Sequence, residues 1–284
     1  LVALLILLGW PGSAGAQERS LLWKISGDKS TVYLLGSIHY LKKENFPLNK
    51  TILAALENSR RLVLEIDLNS ARPEAAQKIT LSKALYQDGS TLEQNISPET
   101  FQLTRQRAAQ FGIDIKSMMP MKPWFVSLTL VAIRLQQLGF DPNFGVDRFL
   151  AAQAAKQGKP VDGLETLEFQ LGAMDQLSKS EQESLLRQSV GELDQLDRSI
   201  QSIAQAWLKG DSGALEPLLL DSMKEYPEVY KKLILERNRR WVPQIEKILG
   251  QSGATLVVVG AAHLVGKDGV VEMLKERGYK VEQE

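Results

Sequence analysis

Short apolar runs bounded by turn signals occupy the two ends of this chain, while its middle repeats apolar residues every three or four positions. The first pattern predicts strands and the second predicts helices. "LLWKI" and "TVYLL" flank "SGDKS", whose Gly27-Asp28 is a turn signal, so the pair predicts a hairpin. In "FPLNKTILAALENSRR", Leu48, Ile52, Leu53 and Leu56 have helical spacing and Pro47 suits the entry turn. "LVLEIDL", residues 62–68, predicts the next strand. Strand, helix and strand together make a β-α-β unit, with parallel strands and a right-handed crossover.

The far end repeats this grammar. "ATLVVVG", residues 254–260, has the continuous apolar pattern of a buried strand, and "YKVEQ" predicts a closing strand. Between them "DGVVEMLKERG" is an amphipathic helix, with Asp268 as its N-cap and Gly278 as its C-cap. "FGVDRFLAAQAAKQG" is helical up to Gly158, and "KPVDGLE" adds a short strand. Residues 178–249 predict helix throughout. Leu193, Leu196, Ile200, Ile203 and Trp207 form a stripe read as core, and Pro243 should kink or divide the last helix. In "SMMPMKPWF", residues 117–125, ordinary helix packing is favoured over a substrate lining. The expected fold is α/β, with a mixed, largely parallel sheet built from both chain ends. A large helical insertion, about residues 70–250, lies within a single domain spanning 17–284.

Composition narrows the function. The chain has 284 residues, 34 basic and 34 acidic, so its charge gives no reason to expect a nucleic-acid or anionic-membrane surface. Without cysteine, neither a disulfide nor a thiolate metal site is available. Residues 1–16 are a different material, an apolar run broken by Gly9 and Pro11 and ending in Ala14-Gly15-Ala16. This reads as a secretory signal peptide, with the initiator Met and basic n-region expected further upstream. The apolar run is too short to span a bilayer, so no stable membrane span is expected after cleavage, and the product should be periplasmic or extracellular.

Candidate chemistry centres on the two histidines, His39 and His263. Each follows a strand-like run, and each has a glycine three places earlier, Gly36 and Gly260. A residue lacking Cβ permits positive φ or close backbone approach, which lets the chain leave the strand and aim the imidazole. One histidine at such a junction is more often structural, but two in one frame point to a site. Four strand-like runs end on a polar group, namely His39, Glu65, Glu165 and His263. In a parallel sheet these ends share one crevice. Two imidazoles and a carboxylate suit a divalent metal, which would polarise a carbonyl and activate water. Asp67, on the same strand face as Glu65, is a reserve ligand. By pattern alone Arg237 reads as a surface charge, and Asp147 and Glu165 also have readings as helix-start or cap carboxylates. No H-E-x-x-H helix, Walker loop or nucleophile elbow is present.

At these residues the sequence resembles the TraB/GumN family, which includes the TIKI metalloproteases. The resemblance runs from "LLWKISGDKSTVYLLGSIHYL" through "LVLEIDL" and "ERNRRWVPQIEKIL" to "VVVGAAHLVGKDGVVEMLKERGYKV". The family hallmark, paired G-x-x-H motifs with a glutamate and an arginine, maps to Gly36–His39, Gly260–His263, Glu65 and Arg237. Ser37 stands where threonine is common. The resemblance implies a metal-dependent hydrolase, a peptidase first, acting on a peptide or small-molecule substrate, and the leader residues make it an exported one. His39, Glu65 and His263 would hold Mn, Zn or Co. Glu165 is expected as general base, Arg237, turned inward, as oxyanion stabiliser, and Ser37, Asp67, Asp147 and Asn238 as supporting residues. Two alternatives remain: a non-catalytic haem- or metal-binding protein, and a metal-free esterase-like hydrolase using histidine and glutamate.

Overall fold

A computed structural model describes residues 19–27, 29–67 and 73–284. The signal-peptide reading of residues 1–16 and the turn residue Asp28 therefore lie outside the described residues. Six strands form one sheet: β1 (Leu22–Ser26), β2 (Ser30–Ser37), β3 (Arg61–Ile66), β4 (Val161–Glu165), β5 (Gly253–Gly260) and β6 (Val281–Gln283). Their spatial order is β4-β3-β5-β2-β1-β6. β1 and β2 are the expected antiparallel hairpin, with Leu22 opposite Leu35 and Ser26 opposite Thr31. β2, β5, β3 and β4 are parallel neighbours. Thus β5, from the far end of the chain, lies between the two strands of the first β-α-β unit. β6 closes the opposite edge antiparallel to β1. The sheet is largely parallel and built from both ends, an α/β fold.

The central strands are buried on consecutive residues, from Leu256 to Val259 in β5 and from Leu62 to Glu65 in β3. Consecutive burial requires cover on both faces, which helices provide. Lys50–Asn58 packs against β5, Val146–Lys156 against β3 and β4, and Glu236–Leu249 against β2. Away from the sheet, helices Pro98–Gln110, Pro123–Gln137 and Lys179–Glu192 have a hydrophobic cluster of their own. Met118 of the "SMMPMKPWF" stretch lies in that cluster, as ordinary packing predicts. No helix among the described residues is long and apolar enough to cross a membrane.

Two local expectations need correction. Glu236–Leu249 runs through Pro243 undivided. Pro243 and Arg239 are exposed, so the carbonyl that loses its helical partner faces water. Asp268 does not cap the last long helix, which starts at Val270 with Gly269 at the cap. Its carboxylate accepts instead from the Tyr230 hydroxyl at 3.0 Å. The stripe, mostly on helix Leu196–Leu208, is core as expected. Leu193, Ile200 and Trp207 are buried, and half-buried Leu196 and Ile203 pack against hydrophobic clusters, while Ile200 and Ile203 also border a crevice.

Trp207 from the same helix donates its indole N–H to the Gly36 carbonyl at 2.6 Å, tying the insertion to the end of β2. Gly36 sits under that contact with no room for a side chain. A Cβ there would lie 2.5 Å from Leu21 Cδ2 and 3.2 Å from Ala261 Cα. Leu21 is 1% exposed and cannot swing away freely. Gly36→Ala should therefore lower unfolding free energy by about 1–3 kcal/mol. Urea denaturation of the two proteins measures this; equal midpoints and slopes would show that the packing is not limiting.

Candidate functional site

The carboxyl ends of β2, β5, β3 and β4 stand side by side, and the polar groups that follow them meet there. In register, Ser37 of β2 faces Gly260 of β5, so the two G-x-x-H segments leave the sheet together. Gly260 is a cradle. A Cβ on it would lie 3.1 Å from Glu65 Oε1, 3.7 Å from His263 Cδ2 and 3.9 Å from His39 Nε2. Neither Gly36 nor Gly260 has a positive φ, so both serve close approach, not a left-handed turn.

His39 is held from outside the sheet. The Val146 amide donates to the Ile38 carbonyl at 3.0 Å, and Gly145 lies so close that a Cβ would meet the His39 carbonyl at 2.5 Å. This contact brings the start of helix Val146–Lys156 against the histidine loop. Asp147, in its first turn, then accepts from His39 Nδ1 at 3.0 Å. Nε2 is left facing the Gly260 cradle. Desolvation lowers the His39 pKa, but the Asp147 hydrogen bond and charge, with the Glu65 charge, outweigh it and raise it to about 9. The side chain is 59% exposed, so water in the crevice screens those charges and moderates the rise.

The other groups form a closed network around Arg237. Its Nη2 donates to Glu65 Oε2 at 2.5 Å and to Glu165 Oε1 at 2.7 Å. Nε donates to Glu165 Oε1 at 3.0 Å, and Nη1 reaches the Leu233 carbonyl at 3.2 Å and His263 Nε2 at 3.0 Å. Guanidinium has five N–H donors, and these contacts use every one. Trp241, one turn on, supports the group. Its ring lies under the guanidinium at 4.6 Å, and its indole N–H donates to Glu165 Oε2 at 3.1 Å. The surface reading of Arg237 is thus overturned; it is 8% exposed. Leu233, Arg237, Trp241 and Ile245 are four residues apart, and two carboxylates make the buried charge tolerable.

The tautomer of His263 follows from its neighbours. Asn238 Nδ2 donates to the Asp268 carbonyl at 2.7 Å, which turns its Oδ1 toward His263 Nδ1, also at 2.7 Å. His263 therefore carries its proton on Nδ1 and offers Nε2 to the arginine. Desolvation, with the charges of Arg237 and His39, outweighs the pull of Glu65 and lowers its pKa to about 3. Glu65 accepts from the Gly260 amide at 2.6 Å and from Gln170 Nε2 at 2.8 Å as well as from Arg237. Burial pushes its pKa up, but Arg237, His39 and the Gly260 amide hold it below the usual carboxylate value, and His263 lowers it further once protonated. Burial raises Glu165 against the pull of Arg237.

This arrangement changes several expected roles. Glu165, expected as a base, is turned away from the crevice and anchors Arg237. Arg237, expected at an oxyanion, has no N–H left for one. Asp67 does not line the crevice. His39, Glu65 and His263 do converge, but as placed their donor atoms are largely engaged: Glu65 by three donors and His263 Nε2 by Arg237. Among the described residues no group of three or more histidine or acidic side chains is arranged to hold a metal ion. Gln170 and Trp241 escaped the sequence reading. The Arg237–Trp241 spacing of four was the available signal for Trp241.

His39, Glu65, Gln170, Arg237 and His263 line a crevice of about 440 Å³ at the strand ends. The profile of the TraB/PrgY/gumN family matches residues 21–283, spanning all of them. The chain belongs to the TraB/PrgY/gumN family. A relative in this family's company is the uncharacterized protein YbaP of Escherichia coli (strain K12), 26% identical over 243 residues, which cover 86% of this chain and 87% of YbaP. YbaP of Shigella flexneri matches to the same extent. An uncharacterized protein of Treponema pallidum (strain Nichols) is 22% identical, covering 94% of this chain and 83% of its own. No solved structure matches. In this TraB/PrgY/gumN chain the two G-x-x-H motifs thus play unlike parts, one imidazole open to the crevice and one sealed beneath it.

Stability should register that difference. His263 and Glu65 have lowered pKa values, so the unfolded chain binds more protons as pH falls below 6.5, and stability is lost toward pH 3. Raised Glu165 partly offsets this at the acid end. His39 is raised from 6.5 to about 9, so its contribution is lost as pH rises through that window, with a shallow slope because of screening. Denaturation across this range should show a maximum near pH 6.5, steeper on the acid side. A curve still rising from pH 6.5 to 9 would contradict these assignments.

Proposed function

We propose that this chain is an exported hydrolase that cleaves a carboxylic ester or amide bond in the crevice, with His39 as the proton-transfer residue. Export is supported by the apolar run and A-x-A pattern of residues 1–16. The observation that carries the hydrolase reading is the His39–Asp147 pair. Asp147 fixes the Nδ1–H tautomer, so neutral His39 presents the Nε2 lone pair to the cradle at Gly260. There it takes a proton from water as the water oxygen attacks the carbonyl carbon. It then returns the proton to the leaving oxygen or nitrogen as the acyl bond breaks. Ser37 lies at the crevice wall, and its buried Oγ has no hydrogen-bond partner among the described residues. Glu65, Arg237 and His263 form the rigid polar floor.

A metal-dependent hydrolase is the second reading, favoured by the convergence of His39, Glu65 and His263 on one point. It requires Arg237 to release His263 and Glu65 before the ligands are free.

On the leading reading His39→Ala lowers kcat about 10²–10⁴-fold. Because the neutral imidazole is the base, the rate should rise with pH through an apparent pKa between 6.5 and about 9. Asp147→Asn keeps an acceptor for Nδ1–H but removes the charge that helps to raise the pKa, so the rising limb should move to lower pH. Nitrophenyl acetate and a fluorogenic peptide library are the probes, each assayed with and without a chelator. Full activity in His39→Ala overturns the reading. Loss on chelation with recovery on Mn, Zn or Co favours the metal reading, and a Soret-absorbing protein without turnover favours the haem-binding alternative.

A further inference from the structure

The crevice is divided in its chemistry. Seven of its lining side chains can form hydrogen bonds: Ser37, His39, Tyr40, Glu65, Gln170, Arg237 and His263. They are gathered at the strand ends, with Gln170 and Arg237 bonded to Glu65 and His263 bonded to Arg237. The rest of the wall is hydrocarbon. Leu128 and Leu135 come from helix Pro123–Gln137, Leu171 from Leu167–Asp175, Ile200 and Ile203 from Leu196–Leu208, and Leu219 from Ser212–Lys224. Leu128 is 42% exposed, one of the few large apolar side chains left open to water among the described residues.

These walls discriminate between kinds of apolar substrate. Each peptide residue carries one N–H and one C=O, and burying them without partners is costly. The backbone groups of the lining helices are already bonded within the helices, and the single Tyr40 hydroxyl beside Leu135 and Ile200 cannot satisfy a run of peptide groups. An extended peptide in this half would leave its backbone unsatisfied. A hydrocarbon chain has no such groups and gains from every methylene removed from water. Tyr40 brings one aromatic ring to the border of this half, packed with Leu135 and Ile200, and the leucine and isoleucine walls are aliphatic.

We infer that the crevice takes an ester or amide of a straight aliphatic acid, with its carbonyl at His39 and its acyl chain between the four helices. This rests on the hydrolase reading for the bond cleaved, but not for the chain bound. Water adds to the carbonyl carbon, the acyl–oxygen or acyl–nitrogen bond breaks, and a carboxylic acid leaves with an alcohol or amine. The acid formed occupies the same half of the crevice.

Two measurements on the full chain test this separately. Hydrolysis of nitrophenyl esters from acetate to decanoate should show kcat/KM rising roughly three- to fourfold per methylene until the crevice is filled. Calorimetric titration with acetate, hexanoate and decanoate, which needs no turnover, should show affinity rising by a similar factor. Ile203→Trp, which fills the apolar half, should reverse the order of the esters. Should that variant not fold, the titration of the unaltered protein still decides. Binding that grows with chain length without hydrolysis supports the chain assignment and overturns the hydrolase reading. Hydrolysis indifferent to chain length, or faster on an apolar peptide than on a decanoyl ester, overturns the chain assignment alone. Neither binding nor hydrolysis overturns both.

Discussion

The guanidinium of Arg237 sets the order of everything around it. A cation 8% exposed is tolerable only with its charge matched and its donors satisfied, and here two carboxylates and an imidazole do both. The sheet order makes this possible. β4 and β3 are neighbours and deliver Glu165 and Glu65, while β5 adds His263 from the next place. No single segment of sequence contains the network; it exists because β5 is inserted between β2 and β3. Removing any one member leaves a buried charge or lone pair uncompensated, so the site and the fold constrain one another.

That network separates two histidines that look equivalent along the chain. His263 is sealed, neutral and bonded on both nitrogens. His39 has one nitrogen on Asp147 and the other toward the crevice. An imidazole bonded on both sides orients its neighbours, whereas one with a free nitrogen can move a proton. The same frame, a glycine three residues before a histidine, therefore yields a structural member and a chemical one. The difference comes from what each loop meets after leaving the sheet: the Val146–Lys156 helix start in one case, Arg237 and Asn238 in the other.

Much of this was legible in the sequence because it is local. The hairpin, the β-α-β unit and the buried β5 follow from period and turn residues, and the parallel arrangement brings the four polar strand ends together. The rest depends on partners distant in sequence. Arg237 reads as a surface charge until Glu65 and Glu165 are seen around it, although its place four residues from Leu233 and from Trp241 puts it on the apolar stripe. Asp268 has the sequence of a cap, yet Tyr230 holds its carboxylate. Ile200 and Ile203 have the spacing of core residues and pack as such, yet they also border the crevice, which periodicity does not report. Pro243 leaves its helix undivided because the turn that loses a bond is exposed.

The central claim is that Arg237, through its hold on His263 and Glu65, keeps one histidine inert and leaves the other to act. With two histidines in the chain, nitrogen NMR of the imidazoles reads the claim directly. From about pH 8 to about pH 4, His263 should remain neutral with its proton on Nδ1, while His39 titrates above the usual value near 6.5. Added zinc should leave the His263 signals unmoved. An ordinary titration of His263, or a joint shift of both imidazoles on adding zinc, would contradict the account.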